Sequence, residues 1–359
     1  MVVALHEGFY GATSGTGFSN RAFLLALTRL LPPGRLVVLP TYVSADQPGY
    51  DEQWAAHLWP LLRSAEAEVI PVGQDETFVD SVRERETLCG RVGAEAARVA
   101  ARSGRCLLIG LDVPFLGLGP YVPESVDLLL VPRSTAVLTH LLLDLPNGLV
   151  PHDDDAEPEL PLPTRARAGF LLAMGRAVPE KGFEGLLHAL ALLRQRPVRL
   201  PHLVLVAAST TPNRDHYLAL LDGLIREYRL NATLITSFSP AVRGWLRNPA
   251  LRAVIVPSRV EPFGRIPLEA FAAQAGPVVA TRAGGLAQTV LDGVTGFTAR
   301  PGDPESLATA IQRALTVTPR EREQLASAGG ALVASRHDYV TTIHAALARC
   351  APWSMAEAR

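Results

Sequence analysis

Residues 252–300 read RAVIVPSRVEPFGRIPLEAFAAQAGPVVATRAGGLAQTVLDGVTGFTAR and carry the clearest structural pattern in the chain. The stretch opens with an apolar, β-branched run from Ala253 to Val256, which is typical of a buried strand. The run breaks at Pro257-Ser258 and crosses a loop. A helical pattern follows, with Pro267 and Glu269 in its first turn. The order is therefore strand, loop, helix.

The start of that helix predicts an anion site. Proline is favoured near the first helical position, so Pro267 marks the helix start. The free amides of Gly264, Arg265 and Ile266 would point out of the helix mouth, where the dipole favours an anion such as phosphate. We expect a phosphate cradle here.

Glu261 and Glu269 flank this cradle, with seven residues between them. A carboxylate on each side can accept hydrogen bonds from the vicinal hydroxyls of a sugar or a ribose. A ligand with a phosphate group between two diols, one on a sugar and one on a ribose, is a nucleotide-sugar. Taken alone, two glutamates beside a helix start are more often solvated charges.

The whole string resembles the donor-binding signature of retaining glycosyltransferases of the GT-B fold, family GT4 (glycosyl transferases group 1). One departure is Gln288, where that family usually has glutamate, so an ionic role is not expected there. The matching positions are Pro257, Ser258, Glu261, Pro262, Phe263, Gly264, Leu268, Glu269, Ala270, Pro277, Gly284, Gly285, Asp292, Gly293, Gly296 and Phe297.

Length and composition predict a globular, two-domain chain. The chain has 359 residues, of which 48% are hydrophobic and 19% charged. Its net charge of −1 gives no electrostatic reason to expect a nucleic-acid partner. We predict no oligomeric state from the sequence.

Cysteine usage and the N-terminus favour the cytoplasm. The three cysteines lie in unrelated contexts, so neither a disulfide framework nor a metal site is expected. The first residues read as a strand instead of a signal peptide, and no apolar run is long enough for a transmembrane segment. Plentiful alanine, leucine and arginine, with Lys181 as the only lysine, suggest a bacterial coding sequence.

Short apolar runs alternate with helical patterns through both halves of the chain, which predicts parallel sheets covered on both faces. The predicted fold class is α/β, GT-B, with two doubly wound Rossmann-like domains facing a central cleft. We predict an acceptor domain at 1–150, a Pro-rich and acidic linker at 151–167, a donor domain at 168–336, and a tail at 337–359. The resemblance implies that this tail crosses back onto the first domain.

The predicted strands are Val2 to Leu5, Leu36 to Leu39, Glu68 to Pro71, Cys106 to Ile109, Val126 to Val131, Gly169 to Ala173, Leu203 to Ala207, Thr233 to Ile235, Ala253 to Val256 and Val278 to Thr281. The predicted helices of the first half are Phe18 to Leu30, Asp51 to Ser64 and Asp80 to Ala101.

A second element, Met174-Gly175-Arg176 followed by Val178-Pro-Glu-Lys-Gly182, is similar to the GR…PEKG element of GT4 enzymes. For this chain, the resemblance implies that Arg176 and Lys181 contact the donor diphosphate. Two cations beside the leaving group would stabilise the charge that develops as the glycosidic bond breaks, without a metal. The plainer alternative is a connecting loop with two solvated cations.

Weaker candidates lie at other strand ends. Gly15 and Gly17 belong to a glycine-rich loop between the first strand and first helix, and by resemblance this loop closes the donor site. Asp112 ends a strand where family members often carry a histidine near the reacting sugar. His140 is a lesser candidate, and His6 and Glu7 also follow a strand.

The loop at Ser237-Phe238 follows a strand and precedes a short helix ending near Arg247; by resemblance it lies near the nucleotide base. A plain connecting loop is the alternative. Five aromatic residues of the first half could stack on a sugar or an apolar part of the acceptor, but aromatic residues more commonly belong to the hydrophobic core. The five are Tyr42, Trp54, Trp59, Phe115 and Tyr121.

Together with the resemblance, these observations predict an enzyme that moves a sugar from a UDP-, GDP- or dTDP-sugar to a hydroxyl without a metal. The resemblance implies that the transfer retains the anomeric configuration. Glu261 would hold the sugar hydroxyls and Glu269 the ribose. Arg176 and Lys181 would hold the diphosphate, with Asp112 near the reacting centre. The loop between the first strand and the helix of the stretch at 252–300, which includes Phe263, would complete the donor-binding site.

The lack of a basic amphipathic helix favours a small-molecule, natural-product acceptor over a lipid or polysaccharide. The alternatives are a sugar-nucleotide 2-epimerase of the same fold and a degenerate, non-catalytic transferase kept as a partner protein.

Overall fold

A computed structural model describes residues 1–11, 15–41, 50–73, 82–131, 148–150, 160–209, 215–237 and 239–355. The chain divides into two compact units. Unit 1 comprises Met1–Val150 and His337–Arg359, and unit 2 comprises Pro151–Arg336. Each unit is built around its own parallel sheet.

The strands are β1 (Val2–Leu5), β2 (Val37–Pro40), β3 (Glu68–Val69), β4 (Cys106–Leu111), β5 (Val126–Val131), β6 (Phe170–Arg176), β7 (His202–Ala208), β8 (Ala232–Ile235), β9 (Leu251–Val256), β10 (Val278–Thr281) and β11 (Gly296–Ala299). The α-helices are α1 (Gly15–Leu30), α2 (Glu52–Ser64), α3 (Val82–Ser103), α4 (Phe183–Leu193), α5 (Asp215–Glu227), α6 (Arg265–Ala272), α7 (Leu286–Thr289), α8 (Pro304–Thr316), α9 (Pro319–Arg336) and α10 (Tyr339–Cys350). Short 3-10 turns span Val113–Gly117, Gly119–Tyr121, Thr164–Ala166, Pro179–Lys181, Pro240–Arg247 and Pro352–Ser354.

The two sheets share one topological feature. Unit 1 has the strand order β3-β2-β1-β4-β5, and unit 2 has the order β11-β10-β9-β6-β7-β8. The pairings between these strands are all parallel. In each sheet the chain starts centrally and the direction of winding reverses, between β1 and β4 in unit 1 and between β6 and β9 in unit 2. Ligands of open parallel sheets bind beyond the carboxyl ends of the strands at such a switch point.

Burial explains why these short segments form strands. β1, β4 and β7 are buried along their whole length, as parallel strands covered on both faces must be. In unit 2 one face is covered by apolar side chains of α4 and α8, including Phe183, Leu187 and Ile311. On the other face, Phe271 of α6 lies against Gly329 of α9, where an added Cβ would lie 2.4 Å from the ring. That contact fixes the position of α6.

In unit 1 the last described helix packs on the first. Tyr339 of α10 is fully buried, and its hydroxyl lies 2.6 Å from the Ser19 hydroxyl. Its ring meets Phe23 edge-on at 5.8 Å. Leu149 and Asp338 form a parallel bridge, so the chain returns to unit 1 through backbone pairing as well.

The predicted strands are present, with boundaries that shift by a few residues. β3 is shorter than predicted, although the Ile70 and Val72 amides still donate to the Val38 and Pro40 carbonyls at 2.9 and 3.0 Å. Pro40 of β2 has no amide to donate in return, which interrupts the ladder there. β11 was absent from the prediction. It has only four residues and begins with glycine, so its pattern gives little strand signal, and pairing with β10 forms it. Within the described part of the chain, none of the helices combines the length and apolarity needed to cross a bilayer.

Candidate active site

The two predicted motifs of unit 2 meet because β6 and β9 are neighbours at the switch point. We call residues 177–182, which follow β6, the lysine turn, and residues 257–264, which follow β9, the glutamate loop. Arg259 and Val260 donate backbone hydrogen bonds to the Glu180 carbonyl at 2.7 and 3.3 Å. The pairing of two strands far apart in sequence thus places the two loops in contact.

Gly182 shows how tightly the loops fit. Its φ of +66° lies in the left-handed region, and an added Cβ would lie 2.2 Å from the Pro257 carbonyl oxygen. Glycine is therefore required for both backbone conformation and space. The PEKG sequence ends in glycine for this reason.

Lys181 and Glu261 form an ion pair between these loops. The Lys181 Nζ donates to Glu261 Oε2 at 2.5 Å, and the two side chains are only 18% and 11% exposed. Ser258 Oγ donates to the same carboxylate oxygen at 3.3 Å. At such low exposure the loss of one partner is costly, because the other charge is left buried and uncompensated. The structure brings together two predicted site residues that lie eighty residues apart.

Arg176 is the last residue of β6 and is exposed. Among the ion pairs of the described residues, none involves its guanidinium. It stands at the carboxyl end of the strand that leads into the lysine turn. A cation so placed is available to an anionic ligand.

Glu269 is a buried carboxylate held by two arginines. Its side chain is 5% exposed, and it accepts from Arg243 Nε at 3.0 Å and from Arg265 Nε at 3.3 Å. Burial alone would raise the pKa of Glu269, but the Arg243 and Arg265 charges and hydrogen bonds outweigh it, so the pKa lies below its ordinary value. Interpreting this residue as a solvated N-terminal charge is wrong.

The helix beyond the glutamate loop starts earlier than predicted. α6 begins at Arg265, with Gly264 as the N-cap, so the assignment of the start to Pro267 is wrong. Proline is tolerated at the third helical position because that amide has no intrahelical acceptor anyway. Arg265 and Ile266 therefore occupy the first two positions, where amides point away from the helix body.

Gly264 carries the turn into α6. Its φ is +85°, and an added Cβ would lie 2.4 Å from Leu286 Cδ2. The preceding residue, Phe263, is half-buried, and its backbone lies against Gly285. A Cβ added at Gly285 would lie 2.5 Å from the Phe263 carbonyl oxygen.

The glycine pair after β10 forms the floor of the glutamate loop. Gly285 donates its amide to the Glu261 carbonyl at 3.2 Å. At Gly284, with φ +51°, an added Cβ would lie 2.1 Å from that same carbonyl oxygen. The backbone of Glu261 thus rests directly on these two glycines.

Ser237 lies exposed just beyond β8 and before the 3-10 turn Pro240–Arg247, as the sequence predicted. Phe238 lies outside the described residues. The turn carries Arg243, which connects this segment to Glu269.

In unit 1 the switch point carries Asp112, directly after β4. Its carboxylate accepts a hydrogen bond from Asn20 Nδ2 at 2.8 Å, and the same amide donates to the Glu7 carbonyl at 3.0 Å. Asp112 has φ +101° and ψ 164°, a region that is essentially restricted to glycine. Strained, buried carboxylates of this kind cluster at functional sites.

Other predicted residues of unit 1 have structural contacts. His6 Nδ1 lies 2.9 Å from Thr41 Oγ1. Gly15 and Gly17 lie in the first turn of α1 and not in the preceding loop, because the helix extends three residues further than its apolar pattern indicated. His140 lies outside the described residues.

Four of the five predicted aromatic platforms lie within the described residues, and their environments differ. Phe115 is fully buried, so it belongs to the core. The Trp54 indole donates to the Gly8 and Phe9 carbonyls, and Trp59 meets Phe9 edge-on. Tyr121 is exposed, and Tyr42 lies outside the described residues.

Sequence reasoning missed three residues that touch the candidate carboxylates: Arg243, Ser258 and Asn20. Ser258 belonged to the matched string but received no role. Arg243 and Asn20 reach their partners from distant elements, so no local spacing marked them.

The comparisons bear on the unit 2 site. Residues 161–330 match the family model glycosyl transferases group 1. The chain is 37% identical over 180 residues to a D-inositol 3-phosphate glycosyltransferase of Frankia alni, an alignment that covers 46% of this chain and 43% of that protein. The chain therefore spans less than half the length of this curated relative.

Two solved structures are similar over nearly the whole chain. Sucrose-phosphate synthase from Thermosynechococcus elongatus has a TM-score of 0.69 at 19% identity, covering 98% of each chain. Anabaena HepE in complex with UDP and glucose has a TM-score of 0.64 at 18% identity, covering 97% of this chain and 99% of that one. At these identities the likeness shows the fold alone, and that fold is GT-B.

Proposed function

We propose that this chain, whose residues 161–330 belong to the glycosyl transferases group 1 family, transfers a sugar from a nucleoside-diphosphate sugar to a hydroxyl with retention of anomeric configuration. One observation carries the proposal. Lys181–Glu261 and Arg243–Glu269–Arg265 converge around the start of α6, at the switch point of the unit 2 sheet. Cations and hydroxyl-accepting carboxylates are thereby placed where a phosphate and two diols would be recognised.

The diphosphate is assigned to the cations and the helix start. Arg176 is exposed at the end of β6, and Lys181 follows in the lysine turn. The first amides of α6, at Gly264, Arg265 and Ile266, add the favourable end of the helix dipole. As the glycosidic bond breaks, negative charge builds on the leaving diphosphate, and these groups stabilise it without a metal.

The two carboxylates are assigned to the two diols. Glu261 accepts from Lys181 and Ser258 through Oε2, which leaves Oε1 to accept from sugar hydroxyls. Glu269 accepts one guanidinium hydrogen bond at each oxygen, and each oxygen retains a second lone pair for a ribose hydroxyl. Its lowered pKa keeps it ionised and therefore an acceptor at neutral pH.

The proposed reaction balances without an enzymic base. The acceptor oxygen forms a bond to the anomeric carbon as the bond from that carbon to the diphosphate oxygen breaks, on the same face. The acceptor proton passes to the departing phosphate oxygen, and the products are the glycoside and the nucleoside diphosphate. Lys181 and Arg176 stabilise the leaving group.

The acceptor is proposed to be a small molecule of natural-product type. The name of the Frankia relative, a D-inositol 3-phosphate glycosyltransferase, agrees with a small hydroxyl-bearing acceptor. A relative from Mycobacterium tuberculosis is named glycogen synthase, so a polymer acceptor is the alternative. The cytoplasm is the proposed compartment, and it is supported by three free thiols at Cys89, Cys106 and Cys350.

The test is turnover with a panel of UDP-, GDP-, ADP- and dTDP-sugars, each with and without a mixture of small hydroxyl acceptors. We expect release of one nucleoside diphosphate only when acceptor is present, and NMR of the glycoside should show the anomeric configuration of the donor. Inversion of configuration would contradict the retaining mechanism.

Release of the nucleotide without any acceptor, together with a changed sugar, would favour the epimerase. Lack of binding and turnover with every donor, in folded protein, would favour the degenerate transferase.

A further inference from the structure

We propose that Arg259, anchored by Glu184 and Tyr217, is a positioning residue that holds the glutamate loop in its active geometry; this proposal rests on the function proposed above. The three residues lie in different elements. Arg259 belongs to the glutamate loop, Glu184 to the first turn of α4, and Tyr217 to α5.

Glu184 is the centre of the cluster. Its side chain is 12% exposed, and Oε1 forms an ion pair with Arg259 Nη2 at 2.6 Å. Its Oε2 accepts a hydrogen bond from the Tyr217 hydroxyl. Burial, followed by the hydrogen bond to Glu184, raises the pKa of Tyr217, so its hydroxyl stays protonated and remains a donor. One carboxylate therefore ties two helices to the loop.

The backbone of Arg259 is held at the same place. Its amide donates to the Glu180 carbonyl at 2.7 Å, and the neighbouring Val260 amide donates to that carbonyl at 3.3 Å. Arg259 Cγ also lies 3.6 Å from the Cβ position of Gly182. The side chain and the backbone of one residue thus attach the glutamate loop to the lysine turn and to α4.

Glu261 is two residues further along this loop. Its ion pair with Lys181 requires that the loop and the lysine turn keep their separation, and Arg259 spans the same two segments. If Arg259 releases the loop, we expect Glu261 to lose its alignment toward the sugar. A displacement of about 1 Å in a group that contacts the reacting part of a substrate is costly, up to about a hundredfold in rate.

The cluster is separate from the surfaces assigned to the donor. Arg259 is not assigned to the diphosphate, the ribose or the sugar, and its side chain is 48% exposed. Its substitution should therefore leave the core intact. The cluster also differs from a simple surface ion pair, because Glu184 is nearly buried and has a second donor in Tyr217.

Arg259→Ala tests the proposal in the full-length chain. We expect kcat with the preferred donor to fall about tenfold while the donor KM changes less than threefold, since the loss is in alignment and not in phosphate binding. A role confined to stability would lower the folded fraction but change neither constant per folded molecule. Arg259→Lys, which retains a cation, should recover at least half of the loss on a logarithmic scale.

Hydrogen exchange gives a readout independent of activity. In Arg259→Ala the peptide that spans 257–264 should exchange about tenfold faster, because the Arg259 and Val260 amides lose their anchor. Glu184→Gln should have a similar effect, and the double variant should be little worse than either single variant, since both remove one interaction. The matched control is Arg196→Ala, which breaks the Arg196–Glu305 ion pair in the same unit and should change neither readout.

Two outcomes would overturn the positioning role: unchanged kcat and exchange in Arg259→Ala, or equal effects in Arg259→Ala and Arg196→Ala. If the wild-type chain turns over none of the donors, the proposed function fails. The exchange measurement alone then decides whether Arg259 holds the loop.

Discussion

The two switch points of this molecule hold their carboxylates in different ways. In unit 2, Glu261 and Glu269 are matched by the cations Lys181, Arg243 and Arg265. In unit 1, Asp112 accepts from the neutral amide of Asn20 and has a strained backbone. The same sheet topology thus supports one site with several ion pairs and another in which a strained backbone and a hydrogen bond from an amide contribute to the geometry.

This difference suggests that the two units bind ligands of different chemistry. Paired charges suit a ligand that brings its own charge, because the phosphate can exchange contacts with cations that are already in place. A carboxylate on a strained backbone that accepts from an amide suits a ligand that is recognised by shape and hydroxyl contacts. We therefore expect variants in unit 2 to change donor handling and variants in unit 1 to leave donor affinity unchanged.

The largest expected effect is that of Lys181→Met. It removes a leaving-group cation and leaves Glu261 without its ion-pair partner, so kcat/KM for the donor should fall by about 10²–10³. Steady-state kinetics over a donor series would measure this. A loss below threefold would mean that the Lys181–Glu261 pair has no part in turnover, and the contrast between the units would lose its main support.

Gly284→Ala tests the floor beneath the glutamate loop. The added Cβ would lie 2.1 Å from the Glu261 carbonyl oxygen at a residue with φ +51°, so the loop must move. We expect about a hundredfold loss of kcat/KM and destabilisation of about 1–3 kcal/mol.

Gly293→Ala is the matched control for that substitution. Gly293 has a comparable φ of +73°, with nothing within 4 Å of its Cβ position. Gly293→Ala should lower the free energy of unfolding because of the strained backbone, but it should not lower kcat/KM. Equal activity losses in the two variants would contradict a specific role for the floor.

Glu269→Gln should show a pH-dependent stability cost. The pKa of Glu269 is lowered in the folded chain, so its ionised form stabilises the fold above the unfolded pKa, and this contribution is lost as pH falls through the folded pKa. At pH 7 the variant should be less stable by about 3 kcal/mol, because two arginines lose their charged acceptor.

Urea unfolding between pH 7 and pH 3 would measure the difference between wild type and Glu269→Gln. The gap should stay constant down to about pH 4.3 and shrink below it, as the wild-type carboxylate becomes protonated. A gap that is the same at pH 3 and pH 7 would show that the charge of Glu269 has no role in stability.

The smallest effect is expected in unit 1. Asp112→Gly and Asp112→Ala both remove the carboxylate, but only glycine relieves the strained backbone at φ +101°. The glycine variant should be more stable than the alanine variant by about 1 kcal/mol. Thermal unfolding would measure this, and an alanine variant as stable as the glycine variant would argue against stored strain.

The sequence predicts the residues of the candidate unit 2 site because many of its parts are local. Pro257, Glu261, Gly264 and Glu269 lie within one strand, loop and helix, and their spacing is set by that short path. The glycines at 284 and 285 are also identifiable, since close backbone approach admits no other residue.

The remaining parts depend on tertiary neighbours. Arg243 reaches Glu269 from a 3-10 turn, and Asn20 reaches Asp112 from α1, 92 residues earlier in the chain. Neither contact has a sequence period or a fixed spacing. The sheet order that pairs β6 with β9 decides which loops meet, and strand-helix alternation gives that order only in outline.

The most direct test of the central claim is isothermal titration of UDP, GDP, ADP and dTDP into wild type, Lys181→Met and Asn20→Ala. We predict that one diphosphate binds the wild type selectively, that Lys181→Met weakens it at least tenfold, and that Asn20→Ala leaves its Kd within twofold. Equal weakening in the two variants, or binding that Lys181→Met does not change, would contradict a donor site built on the ion pairs of unit 2.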